Sequence, residues 1–237
     1  MCGIVGVIDY ERPAALHEPA VRRMVAALHH RGPDAHGTWL GRHAALGHTR
    51  LVLLDREGGA QPLRDPSGRH VLVYNGEIYD HAELRQELRD RWDFRTRSDA
   101  EVVLAALASW GEAALPRLNG MFALAWWDEE QQRGLLARDR MGVKPLAYEP
   151  GPHGVRFASE AKALVATAPG RPRPAVPALL EVLAAPAFSG ASPAFEGLRY
   201  LQPGELLRID REGIEAHTWA PLRIAADRDD EALVPEL

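Results

Sequence analysis

The chain reads as an α+β domain of four layers, two β-sheets packed face to face with helices over both outer surfaces. Three observations lead there. Short β-type apolar runs crowd both ends of the first 160 residues, amphipathic helices lie between them, and the 237-residue length is enough for one large core. Apolar residues at 46% and charged residues at 26% are ordinary for a soluble globular protein.

The elements follow in order. Gly3 to Ile8 is a continuous apolar strand. Val21, Met24, Val25 and Leu28 recur at i, i+3, i+4 and i+7, which predicts a helix over 18–30 ending at His30-Arg31-Gly32-Pro33. Strands are expected at Thr38 to Leu40, from Ala44 to Leu54, and from Val71 to Tyr74, the last closed by Asn75-Gly76, a turn signal. Residues 80–91 read as a helix. A second starts at Ser98, with Glu101 three residues on in capping-box spacing and Asp99 in the first turn, where the helix dipole favours a carboxylate. Met121 to Trp127, Gly134 to Asp139 and Val155 to Ala158 are strands, with a helix starting at Ser159. After about residue 168, Ala and Pro dominate, around a short helix near 177–185. A closing hairpin pairs Glu205–Ile209 with Ile214–Trp219. We therefore divide the chain into a core, 1–167, a C-terminal extension of the same domain, 168–220, and a linker, 221–237.

Net charge is −5, with Lys and Arg scattered, so nothing electrostatic recruits nucleic acid or an anionic membrane. A single cysteine excludes an internal disulfide, and neither CxxC nor HExxH spacing occurs; the adjacent His29 and His30 lack further ligands and are expected to brace a loop, so no metal site is expected. The N-terminal apolar run is interrupted by Asp9 and Glu11, which leaves neither a secretory core nor a membrane span, and a reducing cytoplasm is the expected location.

That one cysteine is Cys2. Removal of Met1 would place its thiol and a free α-amino group on the same carbon, the amine having a pKa of about 7.7–8 against about 8.5 for the thiol, so the nucleophile would carry its own base. Position alone equally allows a small residue filling an apolar strand. Asn75-Gly76 could be a turn only, or could aim a side-chain amide and a main-chain N–H at one point.

The motifs bear on these alternatives by resemblance. Cys2-Gly3-Ile4, His30-Arg31-Gly32-Pro33-Asp34, Gly47-His48-Thr49-Arg50-Leu51, Gln61-Pro62-Leu63, Asn75-Gly76-Glu77-Ile78-Tyr79, Ser98-Asp99-Ala100-Glu101-Val102, Asn119-Gly120-Met121-Phe122-Ala123, Arg138 to Leu146 and Phe157-Ala158-Ser159-Glu160 stand in one register. Together they resemble the N-terminal glutaminase domain of asparagine synthetases, a class II glutamine amidotransferase of the N-terminal-nucleophile hydrolase type. Lys144-Pro145-Leu146 looks like the asparagine synthetase branch rather than the phosphoribosyl-pyrophosphate amidotransferases.

The resemblance implies a four-layer α/β/β/α sandwich and hydrolysis of L-glutamine through a thioester at Cys2. Asn75 and Gly76 would form the oxyanion hole and Arg50 would hold the substrate α-carboxylate. Asp99 and Glu77 would receive the α-ammonium, with main-chain groups of Leu51, Val52, Leu53 and Leu54 along the substrate body. Arg50 and Glu77 also admit a plain reading as surface ion-pair members. The resemblance further implies an ATP-pyrophosphatase-type synthetase domain or subunit as partner, with ATP and Mg bound there and no cofactor in this chain; a homo-oligomer is left open. No Ser-Gly-Gly-x-Asp-Ser loop occurs in these residues. The alternative function is a non-catalytic scaffold of the same fold that positions a separate synthetase.

Overall fold

The computed structural model describes residues 1–52, 59–184 and 193–221. Its strands are β1 (Gly3–Asp9), β2 (Ala35–Leu40), β3 (Ala44–Arg50), β4 (Leu63–Arg64), β5 (His70–Ile78), β6 (Gly120–Asp128), β7 (Arg133–Arg138), β8 (Ala147–Gly151), β9 (Gly154–Ala158), β10 (Arg199–Tyr200), β11 (Glu205–Ile209) and β12 (Ile214–Thr218). The helices are α1 (Glu18–Ala27), α2 (His81–Leu88), α3 (Asp99–Trp110), α4 (Ala161–Val165) and α5 (Val176–Ala184). One sheet runs β10-β8-β9-β1-β3-β2 and the other β12-β11-β7-β6-β5-β4, with every neighbouring pair antiparallel.

Strand alternation divides the apolar residues into three layers of core. Ile4 and Ile8 of β1 meet Val71 and Val73 of β5 between the two sheets. Val5 and Val7, on the opposite face of β1, pack beneath α1 and α4 with Val21, Met24 and Leu164. Leu72 and Tyr74, on the outer face of β5, pack beneath α2 and α3 with Leu84, Val103 and Leu107. These are the four expected layers. Cys2 shares the parity of Ile4, and Asn75 shares that of Val73, so both lie on the faces that the sheets turn toward each other.

Several local expectations are corrected. Asn75-Gly76 is not a turn: β5 continues through both, in register with β6 from His70 opposite Asp128 to Ile78 opposite Gly120. The strand from Ala44 ends at Arg50, because Asp34 then draws the chain aside, its Oδ2 accepting the Val52 N–H at 2.8 Å. The first helix stops at Ala27 and gives way to a tighter turn over His29–Arg31. The capping box does not close. Ser98 Oγ accepts the Ala100 N–H at 3.2 Å, but the buried Glu101 turns away to accept the N–H groups of Arg95 and Thr96 at 2.9 and 2.7 Å. The carboxylate thus serves the loop's main-chain donors in preference to the helix start.

Candidate active site

The N-terminus of β1 is fixed from three sides. Gly3 leaves no room for a side chain, since a Cβ there would lie 2.6 Å from Thr49 Oγ1. Ser159 Oγ accepts the Ile4 N–H at 2.9 Å, and the Arg31 guanidinium donates through Nε to the Cys2 carbonyl at 2.9 Å. Arg31 is held in turn by Glu160 at 2.7 Å. Burial disfavours charge on Glu160, yet hydrogen bonds from Arg31, His30 and Lys162 hold its carboxyl down at about 2. His30 thus braces the turn as expected, through Glu160 at 3.0 Å.

Cys2 is half-buried, and its Sγ lies 3.9 Å from the Leu51 carbonyl oxygen. It opens on a cavity of about 370 Å³ lined also by Arg50, Leu51, Gly59, Gln61, Tyr74, Gly76, Glu77, Ile78, His81, Arg97, Ser98, Asp99 and Ala100. Six of the residues expected from sequence therefore come together there: Cys2, Arg50, Leu51, Gly76, Glu77 and Asp99. Val52 is not part of the lining, its N–H being spent on Asp34. Leu53 and Leu54 lie outside the described residues.

The edge of β5 faces this cavity with a defined set of donors. Phe122, opposite Gly76, directs its N–H and its carbonyl to Asp139 on the far side, so the Gly76–Phe122 pair carries no ladder hydrogen bonds and the Gly76 N–H faces the open edge of the sheet. On the same edge the Tyr74 N–H is taken by Gln61 Oε1 at 2.6 Å and the Ile78 N–H by Asp99 Oδ2 at 3.1 Å. Between them, the Gly76 N–H meets no acceptor among the described residues. A side chain at Gly76 would lie 2.5 Å from the Met121 carbonyl. Asn75 is 2% exposed, and its Nδ2 has no hydrogen-bond partner among the described residues. A buried side-chain polar atom without a hydrogen-bond partner is expensive, about 1–3 kcal/mol, and among the described residues His70, Trp126 and Gln132 carry one too; Asn75 stands apart from these in adjoining the cavity-lining Gly76 on β5.

Sequence reasoning did not single out Tyr74, His48, Gln61 or Arg97. His48 is buried between the sheets and its Nε2 meets the Tyr74 carbonyl at 3.2 Å. Burial, aided by the charge of Arg50 and opposed by that hydrogen bond, lowers its pKa to about 4, so it is a neutral donor. A Tyr in an apolar strand run gives no signal of its partner. His48 stood inside a matching motif, yet nothing local assigned it a role. Among the described residues no group of three or more His, Cys, Asp or Glu is placed to hold a metal, and no helix is long and apolar enough to cross a membrane.

An antiparallel four-layer sandwich with a cysteine at the start of a central strand defines an N-terminal-nucleophile hydrolase fold. Phosphoribosyl-pyrophosphate amidotransferase from B. subtilis shares it, with a TM-score of 0.68 at 20% identity over 92% of this chain and 49% of that one.

The family model for the glutamine amidotransferase domain matches residues 1–220, and the chain belongs to that family. Its curated relatives include asparagine synthetase [glutamine-hydrolyzing] 3 of Bacillus subtilis, 35% identical over 90% of this chain and 36% of the relative. Asparagine synthetase B [glutamine-hydrolyzing] of Escherichia coli is 43% identical over 70% of this chain and 30% of the relative. The chain thus spans about a third of the length of these synthetases and corresponds to their glutaminase part.

Proposed function

We propose that the chain hydrolyses L-glutamine to L-glutamate and ammonia through a thioester at Cys2, and that the ammonia serves an ATP-dependent synthetase domain or subunit that amidates an activated carboxylate. The observation that carries this reading is a pair of donors with no acceptor among the described residues, the Nδ2 of the buried Asn75, which does not itself line the cavity, and the N–H of its neighbour Gly76, which lines the cavity together with Cys2.

Removal of the exposed Met1 frees the Cys2 α-amine, which takes the thiol proton. Arg31, by gripping the Cys2 carbonyl, fixes where thiol and amine point. The thiolate attacks the side-chain carbonyl carbon of glutamine, forming the C–S bond and placing negative charge on oxygen. Asn75 Nδ2 and the Gly76 N–H donate to that oxygen. The ammonium of Cys2 returns its proton to the amide nitrogen, the C–N bond breaks and ammonia leaves. Water, deprotonated by the same amine, then attacks the thioester; the C–S bond breaks and glutamate is released.

Arg50 pairs with the α-carboxylate, while Asp99 and Glu77 receive the α-ammonium; these opposite charges in one cavity suit a free amino acid. ATP and Mg belong to the synthetase part. Intact mass, glutamate release and covalent labelling by a glutamine-analogue electrophile test the reading on one sample. Loss of the Met1 mass, a single label on Cys2 and label-blocked glutamate release are expected. Glutaminase activity retained by a pure Cys2→Ala protein refutes the nucleophile assignment.

A further inference from the structure

The cavity contains an aromatic hydroxyl that no step above uses. Tyr74 precedes Asn75 on β5, is 3% exposed, and its hydroxyl donates to Asp99 Oδ2 at 2.7 Å. The same oxygen accepts the Ile78 N–H at 3.1 Å. Oδ2 is thus supplied twice from β5, while Oδ1 of this cavity-lining carboxylate receives no donor among the described residues. A carboxylate with one oxygen held by two donors cannot rotate freely, so its other oxygen has a set direction.

We propose that Tyr74 is the positioning residue for α-amino-acid selectivity: its hydroxyl fixes the Asp99 carboxylate so that Oδ1 meets the α-ammonium of the substrate. The inference rests on the reading of Asp99 given above and adds how that residue is aimed. The phenol has a rigid mount. Gln61 Oε1 accepts the Tyr74 N–H at 2.6 Å, and the Tyr74 carbonyl accepts from Gln61 Nε2 at 3.1 Å and from His48 at 3.2 Å. Burial, followed by the charge of Asp99, raises the Tyr74 pKa well above its ordinary value, so the hydroxyl keeps the proton it donates.

A tyrosine that merely fills the core would affect every ligand alike, whereas one that aims Asp99 affects only ligands carrying an α-ammonium. L-glutamate and glutarate differ by that group alone. Their binding is to be measured by calorimetry on the wild-type chain, Tyr74→Phe, Asp99→Asn and the double variant.

The expected wild type prefers L-glutamate. Tyr74→Phe weakens L-glutamate about tenfold and glutarate less than about twofold, the size of one hydrogen bond to a charged group. In the Asp99→Asn background Tyr74→Phe has no further effect on L-glutamate, because the two residues act as one unit. Equal weakening of both ligands, or a preference for L-glutamate undiminished by Tyr74→Phe, overturns the assignment of Tyr74 and leaves the glutaminase reading intact. A wild type without preference overturns the reading of Asp99 and the role of Tyr74 with it.

Discussion

His48 ties the acid stability of the fold to the strand that carries Asn75. Its imidazole is 1% exposed between the sheets, and burial lowers its pKa from 6.5 to about 4. The folded state therefore binds fewer protons than the unfolded chain between those values. The sign follows: the contribution is complete above pH 6.5 and is lost as pH falls toward about 4. Some 2.5 units at about 1.4 kcal/mol each, less the half-titration at the lower limit, amounts to roughly 3 kcal/mol. His48→Gln retains an Nε2 donor for the Tyr74 carbonyl without a titrating ring. Chemical denaturation of both proteins from pH 7.5 to 4 measures the difference. The wild type should lose roughly 3 kcal/mol more than His48→Gln, or roughly 6–12 °C in Tm for a domain of this size. Glu160 does not confuse the window, since its own contribution is lost between about 4.5 and 2. Parallel stability curves for the two proteins would refute a neutral buried imidazole at this position.

Two further outcomes rest on separate parts of the structure. Asn75→Ala removes one of the two donors that have no acceptor among the described residues and should lower glutamate release by about 10²–10³ in kcat with KM little changed, as steady-state assays would report; unchanged kcat would remove Asn75 from the proposed oxyanion site. Asp139→Ala withdraws the one carboxylate that accepts the N–H groups of Phe122, Met141, Val143 and Lys144 at 2.9–3.1 Å, and should destabilise the domain by about 3 kcal/mol or more in denaturant unfolding; a loss under about 1 kcal/mol would mean that other acceptors take over.

What was legible in the sequence was what depends on period and on motif. Apolar runs of strand length placed β1, β5, β6 and β9, helical spacing placed α1, and the cap signal at Ser98 with the apolar run after it placed α3, because these elements pack against the layers on either side. β8 and β10 escaped notice: Ala147–Gly151 contains Pro150 and is a strand through its pairing with β9, while two-residue β10 has no period to read and is held at the sheet edge by β8. Asn75-Gly76 failed as a turn for a reason that bears on function. The pair would be poor strand material on propensity alone, yet β6 holds it extended, because Phe122 turns its main chain to Asp139 and leaves Gly76 facing the cavity. The same substitution of local preference by tertiary demand appears at Glu101, which abandons the helix cap for a loop that helps carry Asp99. Gly76 lines the cavity, and Glu101 steadies the loop that leads into the cavity-lining Arg97, Ser98 and Asp99. Residues that give up a favourable local role are held by what surrounds them: Asn75 and Gly76 by their register opposite Ala123 and Phe122, and Glu101 by the N–H groups of Arg95 and Thr96.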